Sequence, residues 1–262
     1  MFSDRSLSTP LAAARERYAP EATVLDVAQD FETLPPAVAE DLGLLADGLD
    51  PASYPDEWLP TDAPTPLEEY ASQAFTIGMP GDGTVVWTAQ TEPATVLLKK
   101  RAEGTPAAFL DFLVAEAFVR IDCGVPEHFL PFFGGEYAEL AAVTGLGPAD
   151  VYQIAAALFD GWVGLQTRPV FESWGDEPKF EPLYEAWVDA GERLEPRLDE
   201  LSGAVARGEM TFPEATEYAC SAIKHGLDLP TPFGALDTDA FRTYGADYAV
   251  QWAEKTVSSL AE

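Results

Sequence analysis

The chain has 262 residues, of which 45 are Asp or Glu and 15 are Lys or Arg, so its formal charge is -30. The acidic residues are spread along the chain without long blocks, and 47% of all residues are hydrophobic. A disordered acidic tail would have blocks of like charge and few aromatic residues, so this class of protein is excluded. The composition indicates a folded chain with an acidic surface.

An acidic surface of this kind suits concentrated salt. At about 1 M salt the Debye length is about 3 Å, so repulsion between spaced carboxylates is mostly screened. We interpret the charge as that of an extreme halophile, an archaeon that accumulates salt in its cytoplasm. In such a cell an acidic surface is common to most proteins, so it carries little information about any one protein's partner. The charge therefore neither indicates nor excludes a nucleic-acid partner. We do not expect one, because the chain has a single basic triplet.

The sequence also predicts a compartment and a domain organisation. No signal peptide and no apolar run of about 20 residues is found, so we expect a cytoplasmic protein without membrane contact. Two cysteines do not make a disulfide scaffold. We expect a single domain over 1–262, in which an N-terminal subregion over 1–104 packs on a helical part over 105–262.

The first elements in chain order are two predicted helices. Ser8 and Pro10 are typical of a helix start and predict a helix over 11–18. Apolar residues at helical spacing predict a second helix over 22–34, which the pair Pro35 and Pro36 ends.

A proline-rich arm follows over 50–66. Its five prolines exclude a helix or a central strand, and Tyr54 and Trp58 lie between them. Two interpretations stay open: a strap that lies on the core, and a segment that contacts a partner through Tyr54 and Trp58.

Two β-rich runs over 84–88 and 94–98 predict an antiparallel hairpin near residues 75–100. A third strand is possible near 75–77. The predicted fold is therefore mainly α with a small hairpin, or α+β if the hairpin gains this strand.

The rest of the chain has apolar residues at helical spacing. Helices are expected after Thr105-Pro106 and Gly147-Pro148, and a long one over 181–205 is expected to bend at Pro196. Thr211 and Glu214 have the spacing of a capping box, which predicts another helix start.

The two cysteines and two histidines have matching spacing, as Cys123 with His128 and Cys220 with His225. Two thiolates and two imidazoles are a suitable ligand set for zinc. However, residues five apart on a helix point about 140° apart, and Cys220 is typical of a small buried residue. No cofactor is therefore predicted, and zinc at these four residues stays a minor alternative.

No catalytic residue can be assigned. A nucleophile elbow is missing, and pairs of carboxylates are uninformative in so acidic a chain. Whether the protein is an enzyme stays open, and the sequence favours a protein that is not one.

Lys99, Lys100 and Arg101 form the only basic triplet. Its position at a strand end is typical of residues that prevent edge-to-edge pairing. The alternative is a binding site between hairpin and helices, for which we name Lys99, Lys100, Arg101, Trp87 and His128.

Three stretches resemble uncharacterised haloarchaeal proteins known only as domains of unknown function: MFSDRSL at 1–7, FTIGMPGDG at 75–83 and ACSAIKH at 219–225. This resemblance implies no activity and no site. The leading hypothesis is an interaction or scaffold protein, with self-association or an unknown protein partner. The alternative is a small-molecule-binding protein or enzyme.

Overall fold

The computed structural model describes residues 1–34 and 36–260, and its contacts divide the chain into two compact units. The first unit contains Met1–Pro55, Pro64–Glu127 and Glu172–Ala186. The second contains Asp56–Ala63, His128–Phe171 and the described residues from Trp187 onward. The single domain expected from the sequence stays a prediction.

A four-stranded mixed sheet forms the centre of the first unit. Its strands in chain order are β1 (Phe2–Asp4), β2 (Thr23–Val27), β4 (Val85–Thr88) and β6 (Thr95–Leu98). They lie in the order β1-β2-β6-β4. β2 and β6 are parallel, with Asp26 opposite Leu98, whereas the other neighbouring strands are antiparallel. A separate ladder joins β3 (Gly48–Leu49) to β5 (Thr91–Glu92).

Both faces of this sheet are covered. Leu25 and Leu97 belong to an apolar cluster with Phe75 on one face. The alternate residues Val24 and Val96 are buried as well. The helices of this unit are α1 (Thr9–Tyr18), α2 (Pro36–Leu42), α3 (Thr65–Ala71) and α4 (Ala107–Asp122), and α4 contacts both α1 and β4.

The helix predicted over 22–34 is wrong. Residues 23–27 form β2 instead, and the chain then continues without a helix to Leu34, while Pro35 lies outside the described residues. The run Thr23-Val24-Leu25-Asp26-Val27 is rich in β-branched side chains, and pairing on both sides with β1 and β6 satisfies its backbone. Tertiary pairing therefore overrides a weak helical pattern.

The predicted hairpin is correct only in part. β4 and β6 are antiparallel neighbours at the predicted positions. The additional strands come from the N-terminal residues, however, and residues 75–77 provide only an isolated bridge between Ile77 and Leu34. The fold is thus an α-rich α+β fold rather than a helical domain with a single hairpin.

Helices make up the second unit. They are α5 (Phe129–Phe133), α6 (Glu136–Thr144), α7 (Pro148–Ser173), α8 (Glu181–Leu194), α9 (Leu201–Ala206), α10 (Phe212–Ile223) and α11 (Asp239–Leu260); the end of α7 and the start of α8 belong to the first unit. The capping box is confirmed, because Thr211 Oγ1 accepts from the N–H of Glu214 and the Glu214 carboxylate accepts from the N–H of Thr211. The long helix predicted over 181–205 is interrupted rather than bent: α8 ends at Leu194, and a 3-10 turn over Glu195–Arg197, which contains Pro196, separates it from α9.

Small residues allow a close crossing of α7 and α10. A Cβ atom at Gly161 would lie 3.0 Å from the Cys220 Sγ, and one at Gly164 would lie 2.9 Å from the Lys224 Cβ. The distance at Gly164 is shorter than real Cβ contacts, and the distance at Gly161 is tighter than nine in ten of them, so glycine suits both positions. Across the described residues, every helix is too short or too polar to cross a membrane.

Candidate functional site

Lys99 directly follows β6 and is almost completely buried, with 1% of its surface exposed. Alternate residues of a strand face the same side, so Lys99 continues the face on which Leu97 contacts the apolar cluster. The Lys99 backbone N–H donates to the carbonyl oxygen of Thr84 at 2.9 Å, which extends the pairing of β6 beyond β4. Because lysine is rarely buried in apolar surroundings, Lys99 is the first candidate for function.

A carbonyl group and an aromatic ring surround the Lys99 ammonium. Its Nζ donates to the carbonyl oxygen of Asp82 at 3.4 Å and lies 5.0 Å from the centroid of the Phe31 ring. Burial lowers the pKa of Lys99, and the nearby Asp82 carboxylate partly opposes this change. An anion that reached Nζ would therefore meet a poorly hydrated positive charge, which attracts it more strongly than a hydrated one.

Arg101 holds the loop that covers Lys99. The Arg101 Nε lies 3.2 Å from Asp30 Oδ1, and Nη1 lies 2.9 Å from Glu32 Oε1. Nη2 donates to the carbonyl oxygen of Phe31 at 3.0 Å. The hydrogen bond from Arg101 lowers the pKa of the Glu32 carboxyl. Hereafter the carboxyl-edge cluster means Asp30, Phe31, Glu32, Asp82, Lys99 and Arg101.

A glycine-rich loop over 78–83 forms the other side of this cluster. Gly78 has a φ of 76°, and a Cβ there would lie 2.9 Å from the Glu32 carbonyl oxygen. The Asp82 side chain accepts from the Met79 N–H at 2.6 Å, and the Asp82 N–H donates to the Met79 carbonyl at 3.1 Å. Glycine thus lets this loop approach the loop over 30–32 closely.

The position of the cluster in the sheet points to ligand binding. The loop over 28–33 follows β2, and Lys99 follows β6, so both lie at the carboxyl ends of two parallel strands. In open sheets with parallel strands, ligands bind outside these carboxyl ends. A lysine and an arginine at this edge suit a phosphate or carboxylate group.

The other residues named for this site are not part of the cluster. Lys100 is exposed and pairs with Glu103 at 2.6 Å. Trp87 is half-buried in β4, opposite Val96. His128 belongs to the second unit, where its Nδ1 accepts from the N–H of Leu130 and caps α5. Burial lowers the pKa of His128 to about 3, so it is neutral at pH 7.

The proline-rich arm packs against its own chain. The Tyr54 ring lies 5.7 Å from the Tyr70 ring within the first unit, and the Tyr54 N–H donates to the carbonyl of Ala71. In the second unit, Trp58 packs against Gly134. Both aromatic residues are half-buried, as the strap interpretation implies.

The cysteines and histidines occupy separate environments. Cys123 is exposed at the end of α4 in the first unit, whereas the other three residues belong to the second. Cys220 is buried, and burial raises the pKa of its thiol. The His225 ring stacks on Trp187 at 5.8 Å. Within residues 1–34 and 36–260, no group of three or more His, Cys, Asp or Glu could hold a metal ion.

A family model matches residues 1–260, which is nearly the whole chain. The chain belongs to the DUF7089 family. This family is described as one of unknown function, so membership fixes no activity or site. Comparisons with curated proteins and with solved structures gave no match.

Glu127 is a second polar centre of this DUF7089 chain, and no local pattern distinguishes it beyond its place after a proline. It follows α4 and accepts four hydrogen bonds within the first unit. The donors are the Tyr70 hydroxyl at 3.2 Å, the Thr88 hydroxyl at 2.8 Å, the Ala89 N–H at 2.6 Å and the Gln90 amide at 2.5 Å. Glu127 thereby joins α3 to the turn after β4.

The Glu127→Gln substitution should lower the free energy of unfolding by about 1–3 kcal/mol, because an NH2 group replaces one of the two accepting oxygens and then faces the two donors that had bonded to it. Chemical denaturation at pH 7 measures this difference. Glu103→Gln is the control: Glu103 is exposed, and we expect a change within about 0.5 kcal/mol. Equal stability of Glu127→Gln and the parent chain would show that the four bonds contribute nothing.

The same pair of proteins should differ in pH dependence. Burial raises the pKa of Glu127, and its four hydrogen bonds oppose this only in part. The folded chain therefore binds this proton more tightly than the unfolded chain. The contribution of Glu127 to stability should then fall as pH rises from its unfolded pKa of about 4.3 through the raised value. A stability difference that stays constant with pH would contradict the raised pKa.

Proposed function

We propose that the protein binds a small molecule with a phosphate or carboxylate group at the carboxyl-edge cluster. The observation that supports this most is the burial of Lys99 at the carboxyl ends of two parallel strands. A buried ammonium is costly for folding, and such groups are common at sites that bind charged ligands. The proposal concerns binding and includes no reaction.

The ion pairs that hold the loop over 30–32 on Arg101 are weak. Lys99 is covered by Phe31, and the loop over 30–32 is held by the two ion pairs of Arg101. These pairs are partly exposed, and exposed pairs contribute about 0–1 kcal/mol each, less in concentrated salt. An anion can therefore displace the loop carboxylates from Arg101 and contact Lys99.

Inorganic phosphate should raise the melting temperature of the parent chain and of Lys100→Met, but much less that of Lys99→Met. A ligand at 100 times its Kd stabilises a protein by about 2.7 kcal/mol. Lys100 is the matched control because it is adjacent but exposed and paired with Glu103. Thermal unfolding in molar KCl, with and without phosphate, measures these shifts.

The comparison between variants also separates binding from other effects. Phosphate stabilises most proteins by exclusion from their surface, and this effect should be equal in all three chains. If Lys99 only holds the two loops together, Lys99→Met should be less stable without phosphate and should respond to it like the parent. That result would overturn the proposal.

We also propose that the protein works in the salt-rich cytoplasm of a halophilic archaeon. The distribution of charge supports this, because most carboxylates in the described residues are at least partly exposed, and Glu116 and Glu127 are the exceptions. The acidic groups therefore lie at the surface, where dilute buffer leaves their mutual repulsion unscreened.

Lowering KCl from about 2 M to about 0.1 M should reduce the melting temperature and the helical circular dichroism signal. The Debye length rises to about 10 Å at the lower salt, so neighbouring carboxylates repel one another. Sucrose added at low KCl to the same viscosity is the control for solvent effects that do not involve ionic screening. An unchanged melting temperature across this range would contradict adaptation to salt.

A second candidate function is the interaction role that the sequence favoured, here as self-association. It is supported by an exposed apolar loop in the first unit, hereafter the leucine loop. Leu44 is 84% exposed, Leu45 53% and Leu49 41%, and Leu49 packs beside Gly43, so the three lie close together. A cluster of exposed apolar side chains indicates an interaction surface, whereas a single one does not.

Sedimentation velocity in molar KCl tests this role. The parent chain should form dimers that Leu44→Asp weakens, because a carboxylate cannot be buried between two copies without cost. Tyr244→Ser removes an exposed apolar residue of the second unit and should leave association unchanged. A parent chain that stays monomeric at all concentrations would exclude self-association through the leucine loop.

A further inference from the structure

A partly open polar cleft of about 310 Å³ lies in the first unit, away from the carboxyl-edge cluster. It is formed by the last residue of β1 and the residue after it, by Arg15 of α1, by residues 20–22 and by the start of β2. Four charged side chains line it, two of each sign: Asp4, Arg5, Arg15 and Glu21. Thr23 adds a hydroxyl group. Its volume lies at the lower end of the range for small-molecule sites.

The two arginines of this cleft have unused donors. Across residues 1–34 and 36–260, the Arg15 guanidinium makes no hydrogen bond or ion pair, although acids outnumber bases threefold in this chain. Arg5 pairs through Nη1 with Asp26 at 2.6 Å, but its buried Nε has no hydrogen-bond partner among these residues. Buried donors are normally satisfied, so the unpaired Nε is unusual; it has almost no exposed surface, and the half-buried Arg15 is the donor that a ligand can reach.

The balance of charge in the cleft indicates which kind of molecule would bind there. A simple anion would be attracted by Arg5 and Arg15 but repelled by Asp4 and Glu21. A simple cation would be attracted by the two carboxylates and repelled by the two arginines. A molecule with one carboxylate and one ammonium group satisfies both pairs. We propose that the cleft binds a small zwitterion of the amino-acid type, whose carboxylate contacts Arg5 and Arg15 and whose ammonium faces Asp4 and Glu21.

An alternative role for Arg15 is electrostatic support of α1. Basic residues in the last turn of a helix interact favourably with its dipole, and both Arg15 and Arg17 lie there. Arg17, however, already pairs with Glu177 and lies over the Tyr18 ring. The two arginines therefore provide a matched comparison: both belong to the same helix end, but only Arg15 lines the cleft.

Isothermal titration calorimetry of the full chain in molar KCl tests the proposal. The probes are glycine, L-serine and L-leucine, with acetate and methylammonium as single-charge controls. At least one amino acid should bind to the parent chain and to Arg17→Met, and Arg15→Met should weaken its binding by about tenfold or more. Glu21→Gln should also weaken it; Glu21 is exposed, so this variant should fold even if Arg15→Met does not.

Three results would overturn the zwitterion site. The first is a parent chain that binds none of the amino acids, and the second is an Arg15→Met or Glu21→Gln chain that binds them as the parent does. The third is acetate binding to the Lys99→Met chain as tightly as the amino acids do, since the cleft would then need a carboxylate alone. Lys99→Met should keep its amino-acid binding, so failure of the phosphate site and failure of this cleft can be distinguished.

Discussion

The parallel pairing of β2 with β6 is the contact on which the first unit depends. It joins residues 23–26 to residues 95–98, so a long loop must be closed before its hydrogen bonds form. The cost is offset by burial of Leu25 and Leu97 in one apolar cluster, at about 25 cal/mol per Å² of apolar surface. This pairing also places the loop over 28–33 beside Lys99.

Positive charge is scarce in this chain, and the first unit concentrates several cations where segments meet. Arg101 fixes the loop after β2, Arg5 joins the end of β1 to Asp26, and Lys99 lies between two loops. Surface ion pairs contribute little in concentrated salt. The contacts of the buried Lys99 are screened less, so they retain more of their strength there. Lys99 and Arg101 thus make their contacts at the carboxyl ends of β2 and β6, and Arg5 makes its contact at the end of β1.

The helical part of the fold could be predicted from local signals. Thr211 and Glu214 form the predicted capping box, and Ser8 accepts from Leu11 as a helix cap. The basic triplet predicted Lys99 and Arg101 as candidate binding residues. The loop partners Asp30 and Glu32 could not be found, because residues 22–34 read as a helix, which would have left them on its surface. Glu127 could not be distinguished from other carboxylates, since its four donors come from α3 and the segment after β4.

The sequence by itself determined the acidic surface, several helix starts and the candidate lysine, because composition and caps depend on near neighbours in the chain. Only the tertiary structure decided that residues 23–27 are a central strand, that Lys99 is buried while Lys100 is exposed, and that Arg15 lines a cleft. These properties depend on which distant segments pair and cover one another. No local pattern specifies that choice, because it is made by the free energy of the whole folded unit.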